Sequence, residues 1–398
     1  MPYPRNRTIM VHGGASHSSQ ASASTVPSHP QTLIERILAL DNSSELAQQY
    51  TPLIMINPDQ SGDSSSYVAV GHAHASLVDS ALLHCKNDDG EPIFVKDRLP
   101  NGLGIMTDVL QLYMDARIRK DAKQYESHNS SEFNGDDQLE LFQKRTVAFE
   151  YVTDYLMSTG IISHKHADVY PIYPFVGGED SVNMKIVLAH VNRSAAPYLG
   201  IDSVGVHLNC YVCQHEGEHC GAGSSVKTNK IKGVWLAKRA PTKSHHPNYW
   251  DSTVAGGQPA DLSLVDNIVK EAQEEAGVPS EWIRESSDTS IFFSDHTNDP
   301  LTITTAKPDG TCMKRSLYYS CDLQVPHCWT PTPVDGEVSE FRLYSMKELE
   351  EELRHGDSVR PAIRAVLLDF MIRHEAMKGE EETNNLRDAM RRERLLLW

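Results

Sequence analysis

The sequence has no long apolar run and no excess of positive charge. Its 398 residues include 37 Lys and Arg against 54 Asp and Glu, which gives a formal net charge of −17. Binding to nucleic acid or to an anionic membrane depends on clustered cations, so this balance argues against both kinds of partner. No apolar segment approaches the roughly 20 residues of a membrane-spanning helix. We therefore expect neither a nucleic-acid nor a membrane partner.

Acidic residues are absent from the first 31 positions, and no apolar core of the secretory type is present there. This segment contains Arg5, Arg7 and a series of serines, a composition that suits either an organelle transit peptide or a disordered tail. The seven cysteines are an odd number, as expected where thiols stay reduced. The expectation is an intracellular protein, cytoplasmic, or plastid or mitochondrial if residues 1–31 are a transit peptide.

A helix is predicted between a glycine pair, Gly256 and Gly257, and a single Gly277. Ser263, with Asp266 three residues later, forms a near capping box, and Gly277 is a C-terminal stop signal. Apolar residues recur between them with helical spacing at Leu262, Val265, Ile268, Val269, Ala272 and Ala276.

Three carboxylates of this helix lie opposite its apolar stripe. Glu271, Glu274 and Glu275 stand at i, i+3 and i+4, within about 100° of arc. Like charges this close repel each other, so the pattern favours a divalent cation bound among them. A solvated acidic face on an amphipathic helix is the alternative interpretation.

Together these residues resemble a Nudix box: Gly, five residues, Glu, seven residues, Arg-Glu, an apolar residue, any residue, Glu-Glu, any residue, Gly, apolar. Gly256 occupies the first position, Lys270 replaces the Arg, and Gly277-Val278 close the motif. Leu262 stands where the isolated Glu belongs, a departure that affects rate or substrate geometry more than metal binding. Asp261 and Asp266 are candidates to compensate for it.

The resemblance implies a metal-dependent enzyme. Mg²⁺ or Mn²⁺ would be held by Glu271, Glu274 and Glu275, with the carbonyl of Gly256 as a further ligand, and Glu274 would also serve in catalysis. A Glu from a second region often acts in this family, which points to Glu337 as general base. Its alternative role is that of a turn residue, because Asp335-Gly336 is a strong turn signal.

Flanking segments are similar to the Nudix proteins called thiamine pyrophosphokinase-related, over roughly residues 144 to 375. The matching segments are Asp168–Pro174, Arg193 with Pro197–Gly200, His207-Leu208, Lys232–Lys243, Asn248–Gly257, Asp335–Val338 and Leu368–His374. This likeness implies an N-terminal region specific to the subfamily. It also implies hydrolysis of a small-molecule diphosphate to leave a monophosphate, with thiamine diphosphate or a damaged analogue as the candidate substrate.

Cations and aromatic residues precede the box. Lys238, Arg239 and Lys243 are candidates to bind the diphosphate, with Arg able to make a bidentate contact; solvated cations at a strand edge are the alternative. Trp250, with Trp235 and Tyr249, offers a face to a planar heterocycle, although large aromatics in a sheet are more often core residues. Tyr170, Tyr173 and Arg193 are candidates for substrate selectivity.

The pattern of elements predicts an α/β (α+β) protein. Helical patterns occur near 32–48, 105–122, 139–158, 346–354 and 361–373, and strands near 185–190, 203–213, 231–238, 290–294, 302–305, 316–323 and 338–344. Together with the resemblance, they predict a Nudix-type mixed sheet between helices and an N-terminal α+β extension. The expected regions are 1–31, a family-specific 32–200, a Nudix domain at 201–376 and a helical tail at 377–398.

A cysteine group suggests zinc as a further possibility. Cys210, Cys213 and Cys220 lie close to His207, His215 and His219, and the first pair has the spacing of a zinc knuckle. However, apolar and other residues alternate from 206 to 213 as in a β-strand, which puts the first two cysteines on opposite sides.

Three functions compete. The leading one is a metal-dependent diphosphohydrolase. The second is an enzyme similar to isopentenyl-diphosphate isomerase, although that activity needs a reactive Cys that the segment 251–256 lacks. The third is a diphosphate-binding module with weak or no turnover, for which Leu262 is the evidence. The sequence leaves the oligomeric state open.

Overall fold

Two large β-sheets and one smaller antiparallel strand pair organise the described part of the chain, and their strands follow its β-branched and aromatic segments. The computed structural model describes residues 32–40, 49–56, 67–100, 106–117, 135–174, 186–215, 227–286, 300–306 and 312–391. The segment 1–31, Cys220 and the strand predicted at 290–294 lie outside these ranges. Within them, no helix has both the length and the apolar character needed to cross a bilayer.

The N-terminal region contains a four-stranded sheet in the order β2-β1-β4-β3. Its β1 and β4 are parallel, and the other pairs are antiparallel. The elements are α1 (Leu33–Leu38), β1 (Tyr50–Ile56), β2 (Tyr67–His74), α2 (Ala75–Ser80), β3 (Phe94–Pro100), β4 (Met106–Leu112) and α3 (Gly135–Ser158). A separate antiparallel pair follows, β5 (Val169–Ile172) with β6 (Ala189–Asn192).

The helix α3 covers this N-terminal sheet. Phe149, Val152 and Leu156 on α3 are fully buried in one cluster with Leu53 of β1 and Leu110 of β4. This packing confirms the helix predicted near 139–158 and the N-terminal α+β extension.

A seven-stranded mixed sheet forms the second half of the chain. Its main path is β11-β12-β7-β8-β13, with β10 added beside β7 and β9 beside β8. Only the β12–β7 pair is parallel among these described strands. The strands are β7 (Ser203–His215), β8 (Lys227–Arg239), β9 (Trp250–Asp251), β10 (Val254–Gly257), β11 (Leu301–Ala306), β12 (Met313–Gln324) and β13 (Val338–Ser345).

Helices pack on both faces of the second sheet. The helices are α4 (Leu264–Ala276), α5 (Ser280–Arg284), α6 (Met346–His355), α7 (Pro361–Arg373) and α8 (Glu380–Arg391). Ile268 and Ala272 of α4 share one core with Leu208. Val366 and Phe370 of α7 share another core with α1, α6 and α8. The predicted mixed sheet between helices is therefore confirmed.

Two helix predictions need correction. The segment predicted as a helix near 105–122 is β4 at 106–112; only 113–117 are helical, and 118–122 lie outside the described residues. Pairing of β4 with β3 on one side and β1 on the other decides its conformation, against the local apolar pattern. The helix predicted at 32–48 ends at Leu38, and 41–48 lie outside the described ranges.

Candidate functional site

The helix α4 begins and ends at the predicted residues. The Ser263 hydroxyl accepts a hydrogen bond from the Asp266 N–H at 3.1 Å and caps the N-terminus. Gly277 ends the helix with φ 65°, a left-handed conformation that favours glycine. These caps and the buried apolar stripe fix the rotation of the helix. The acidic residues consequently share a face beside β10.

The three carboxylates of α4, which we call the acidic face, differ in burial. Glu275 is only 6% exposed, and its carboxylate accepts a hydrogen bond from the Ala255 N–H at 2.9 Å. The Glu271 side chain is mostly covered, whereas Glu274 is about half exposed. Because the buried carboxylate receives a backbone donor from β10, α4 and the glycine-containing strand form one structural unit.

Gly256 and Glu271 are in direct contact. A Cβ added at Gly256 would lie 2.5 Å from the Glu271 Cδ and 2.9 Å from its Oε1. Any larger residue would displace the Glu271 carboxylate. This contact explains why glycine stands at the first position of the box. It places the Gly256 main chain beside Glu271, one of the predicted metal ligands.

Burial makes two carboxylates of the acidic face, Glu271 and Glu275, costly to ionise. Desolvation raises the pKa of Glu275 to about 8, and Glu271 and Glu337 add to the increase. Desolvation also raises the pKa of Glu271, although the Lys270 ammonium opposes it. Among the described residues no ion pair holds Glu275. The site therefore contains concentrated carboxylate oxygens whose negative charge is incompletely balanced.

The acidic face has donor groups of the kind that bind Mg²⁺ or Mn²⁺. Carboxylate oxygens are the ligands that both ions prefer, and an unpaired buried Glu275 is a suitable donor. In the described part of the chain, no three His, Cys, Asp or Glu side chains converge into a ready-made metal cluster. The Lys270 ammonium instead contacts Glu274 at 2.7 Å and Glu271 at 3.2 Å. The donor set fits the ion, with Lys270 as the internal cation that competes for two of its groups.

The loop of the box is held without the missing Glu at Leu262. The buried Asn267 amide donates to the Gly257 carbonyl at 3.0 Å and to the Gln258 side-chain oxygen at 3.1 Å. Gln258 in turn donates to the Leu262 carbonyl. Asp266, one of the two candidates to compensate, pairs with Arg284 instead. Amide groups therefore tie this loop to α4, which the sequence pattern did not indicate.

Glu337 lies in the predicted turn and near the acidic face. The Asp335 carboxylate accepts from its N–H at 2.8 Å, and Gly336 has φ 83°. Glu337 pairs with Lys243, and its charge contributes to the raised pKa values of Glu271 and Glu275. Glu337 thus lies in the predicted turn and also close to the acidic face. Its role as general base stays a prediction.

Lys238 and Trp250 lie against each other. The Lys238 ammonium is 5.5 Å from the Trp250 ring centroid and 2.8 Å from the Glu340 carboxylate. Trp250 is only 8% exposed and packs edge-on against Tyr344 in the core that contains α7. Substrate binding by either residue stays a prediction, because both are engaged with neighbours here.

Arg239 belongs to a charge network that the sequence did not reveal. Asp251, 2% exposed, is bonded by Arg360 at 2.9 Å and Arg239 at 3.3 Å. Burial alone would raise the pKa of Asp251, but Arg360, His207 and Arg239 hold it below its usual value. We call Asp251, Arg239 and Arg360 the Asp251 network. Arg239, a candidate to bind the diphosphate, is therefore already paired with Asp251.

The cysteines occupy the strand positions that alternation predicts. Cys210 is buried in the core beneath α4, and Cys213 in the opposite core with α7. Burial raises the pKa of the Cys210 thiol. Side chains on opposite faces of a sheet, such as those of Cys210 and Cys213, cannot bind one zinc ion together. A zinc site at this pair is therefore not supported by the described residues.

The chain is similar to known proteins over the region that contains the acidic face. Residues 222–366 match the NUDIX domain family. Two Arabidopsis thaliana proteins, "Nudix hydrolase 24, chloroplastic" and "Nudix hydrolase 20, chloroplastic", are 29% and 30% identical over 242 residues, 61% of this chain. The match spans 58% and 56% of those relatives, less than two thirds of their length.

Among solved structures, the MutT protein from Methanosarcina mazei Go1 is 14% identical, with a TM-score of 0.27, and the match covers 44% of this chain and 93% of that one. The family match includes both the acidic face and Glu337. This chain is thus similar to NUDIX domain proteins over residues 222–366.

Proposed function

We propose that this chain is a metal-dependent diphosphohydrolase that cleaves a small-molecule diphosphate and leaves a monophosphate. Thiamine diphosphate, or a damaged analogue, is the proposed substrate, on the strength of the subfamily motifs. The observation that carries the proposal is the contact of Gly256 with Glu271 beside the buried, unpaired Glu275. Uncompensated carboxylates at one strand end favour cation binding over a merely solvated helix face.

Each residue of the acidic face has a proposed role. Glu271, Glu274 and Glu275, with the Gly256 carbonyl, would hold Mg²⁺ or Mn²⁺. When bound, the cation supplies screening of phosphoryl charge and a lower pKa for a coordinated water. Lys270 would leave Glu271 and Glu274 as the ion enters.

Glu337 is the proposed base that accepts the proton of the attacking water. Its ion pair with Lys243 holds the carboxylate at the end of β8, on a turn fixed by Asp335. Lys243 is therefore proposed to orient Glu337 as well as to approach the diphosphate. A carboxylate in this place suits general-base work because its oxygens can accept a proton from a nearby water.

One assay tests the proposal. The full chain, with Mg²⁺ or Mn²⁺, is offered thiamine diphosphate and its oxidised analogues, ADP-ribose, nucleotide-linked coenzymes and isopentenyl diphosphate, and mass spectrometry follows the products. We expect release of a monophosphate from at least one diphosphate. Glu274→Gln should lower kcat at least about a hundredfold, in line with loss of a group needed in the transition state.

Glu281→Gln is the matched control, because Glu281 is an exposed carboxylate on the neighbouring helix α5. Turnover that survives in Glu274→Gln would contradict the mechanism. Double-bond isomerisation of isopentenyl diphosphate without hydrolysis would favour the isomerase-like alternative. Binding of a diphosphate without any product would favour the binding module that Leu262 suggests.

Plastid targeting is a proposal for location. The two Arabidopsis relatives carry "chloroplastic" in their names. Residues 1–31 here combine Arg5 and Arg7 with serines and no acidic residue. Import of a fluorescent fusion of these residues into isolated chloroplasts would test the proposal, and exclusion of the fusion from the organelle would contradict it.

A further inference from the structure

The strands β7 and β8 separate where the box begins. They pair directly at Tyr211 and Val234, but further along β7 pairs with β10 and β8 pairs with β9. Ser252 and Thr253, which join β9 to β10, consequently lie in the opening between the two strands. Both residues are fully buried. A sheet that opens inside the protein leaves backbone groups of both strands in need of hydrogen-bonding partners.

The hydroxyl of Thr253 supplies two of those partners. It accepts a hydrogen bond from the Cys210 N–H of β7 at 2.8 Å and donates one to the Trp235 carbonyl of β8 at 2.6 Å. Continued pairing of β7 with β8 would place Cys210 opposite Trp235, so the hydroxyl stands between two residues that an unbroken ladder would bring together. A single buried side chain thus connects β7 to β8 across the opening.

Ser252 adds further contacts to the same junction. Its hydroxyl donates to the Val254 carbonyl at 3.2 Å and lies 2.7 Å from the His207 Nδ1 of β7. The Ser252 N–H donates to the Asp251 carboxylate at 3.0 Å. Ser252 and Thr253 therefore tie the junction to β7, and Asp251 ties it to the buried charge network.

The residues that follow the junction meet the acidic face. The Ala255 N–H donates to the Glu275 carboxylate at 2.9 Å, and Gly256 lies against Glu271. A strand advances only about 3.3 Å per residue, so Thr253 lies close to both of these contacts along the chain. The position of the junction therefore sets where the Ala255 N–H and the Gly256 carbonyl stand relative to α4.

We propose that Thr253 is a positioning residue of the metal site. Its hydroxyl fixes the position of β10, so that the Ala255 N–H reaches Glu275 and Gly256 leaves room for Glu271. This inference rests on the proposed function, because the site that Thr253 serves is the proposed metal site. Thr253 lies outside the box, and its hydroxyl bonds backbone groups of the sheet rather than the acidic face.

Mn²⁺ titration of the full chain, followed by electron paramagnetic resonance, tests this role without turnover. Thr253→Val keeps the shape of the side chain and removes the hydroxyl, so it should weaken Mn²⁺ binding about tenfold, the scale seen when groups that orient metal ligands are lost. Thr253→Ser keeps a donor and an acceptor and should bind Mn²⁺ within about twofold of the wild type. Thr253→Cys, whose thiol is a weak donor and acceptor, should lie between these two variants.

Thr153→Val is the matched control, because Thr153 is likewise buried and its hydroxyl donates to the Phe149 carbonyl on α3 at 2.8 Å. It should leave the Mn²⁺ affinity unchanged, whatever its effect on stability. Circular dichroism shows which variants are folded; if Thr253→Val is not, the comparison of Thr253→Cys with Thr253→Ser decides. Equal affinities in all folded Thr253 variants, or the same loss in Thr153→Val as in Thr253→Val, would overturn the inference.

Steady-state kinetics distinguish this inference from the proposed function. With whichever diphosphate the product assay identifies, Thr253→Val should raise the Mn²⁺ concentration for half-maximal rate about tenfold, and saturating Mn²⁺ should restore most of kcat. Glu274→Gln should not recover in this way, because it lacks a group needed in the transition state.

The possible failures are separable. Turnover with an unchanged Mn²⁺ requirement in Thr253→Val would overturn the positioning role and leave the hydrolase intact. Mn²⁺ affinity that depends on Thr253, in a chain that hydrolyses nothing, would support the positioning role and contradict the hydrolase. A wild-type chain that binds no Mn²⁺ would contradict both.

Discussion

The acidic face of α4 and the Asp251 network contain buried carboxylates in opposite electrostatic settings. Glu275 has one backbone donor and no ion-pair partner among the described residues, and its pKa rises to about 8. Asp251 has two arginines, and its pKa is lowered although burial opposes this. Glu275 and Asp251 are similarly buried, so the arginines beside Asp251 account for the difference between their pKa values. The network supplies its own cations, and the acidic face is left to receive one.

The sharpest difference is in the pH dependence of metal-free stability. Glu275 has a pKa of about 4.5 when unfolded and about 8 when folded, so its favourable contribution is complete below pH 4.5 and disappears as pH rises through 8. Between pH 5 and 8 the free energy of unfolding should fall by up to about 4 kcal/mol from this group. Urea denaturation in a chelator should show the full decline in the wild type and a much smaller one in Glu275→Gln, where, of Glu271 and Glu275, only Glu271 still has a raised pKa.

Added Mg²⁺ should remove the same decline, because a bound cation favours ionised Glu275. Asp251 changes the free energy of unfolding in the opposite direction. Its stabilising contribution is present above its unfolded pKa and disappears as pH falls through the lower folded pKa. Asp251→Asn should therefore leave the slope between pH 5 and 8 in place. If Asp251→Asn flattens that slope as much as Glu275→Gln, the comparison fails.

Removal of a cation from the Asp251 network should be the next largest effect. Arg360→Met leaves the buried Asp251 with Arg239 alone and should lower the free energy of unfolding by about 3 kcal/mol at pH 7. Asp251→Asn in the same chain should recover part of the loss, since the unpaired charge is then gone.

The control for this variant is Arg342→Met. Arg342 pairs with Glu348 at 2.9 Å, and both side chains are about half exposed. Such a surface pair contributes at most about 0.5 kcal/mol, so the control should unfold almost as the wild type does. Equal losses in Arg342→Met and Arg360→Met would mean that the Asp251 network is no more important than a solvated ion pair.

A third prediction concerns the contact between Gly256 and Glu271. Gly256→Ala should displace the Glu271 side chain and weaken Mn²⁺ binding by about tenfold, the scale seen when groups that position a ligand are lost. Gly257→Ala is the matched control, because its Cβ would meet only the Tyr170 hydroxyl at 3.9 Å. Mn²⁺ titration followed by electron paramagnetic resonance measures both. Equal affinities for the two variants would contradict the role of Gly256.

The two regions also differ in how far the sequence predicts them. The acidic face follows from local signals: the Ser263 cap, the Gly277 stop and a carboxylate spacing that one helix brings together. Arg360 and Asp251 are 109 residues apart and meet only because β9 packs beside the start of α7. No local pattern reports such a pair.

Strand pairing explains why the helix predicted near 105–122 was wrong. The apolar residues of 106–112 suited a helix, but β1 and β3 supply hydrogen-bonding partners on both sides. The packing of Trp250 against Tyr344 in the core of α7 was equally invisible to a local pattern, and its role in substrate binding stays a prediction. The neighbours that decide both environments are distant in sequence.

The smallest expected effect concerns Lys270, the internal cation of the acidic face. Lys270→Gln removes contacts of a half-exposed ammonium with the half-exposed Glu274 and the mostly covered Glu271, so it should lower the free energy of unfolding by at most about 0.5 kcal/mol. Mn²⁺ affinity should rise a few-fold, because the ion no longer displaces an ammonium. Lys144→Gln, which breaks an exposed i, i+4 pair with Glu140 on α3, is the control and should leave Mn²⁺ affinity unchanged. Weaker Mn²⁺ binding in Lys270→Gln would mean that Lys270 positions the carboxylates for the metal and does not compete with it, and the acidic face would then depend on its own cation as the Asp251 network does.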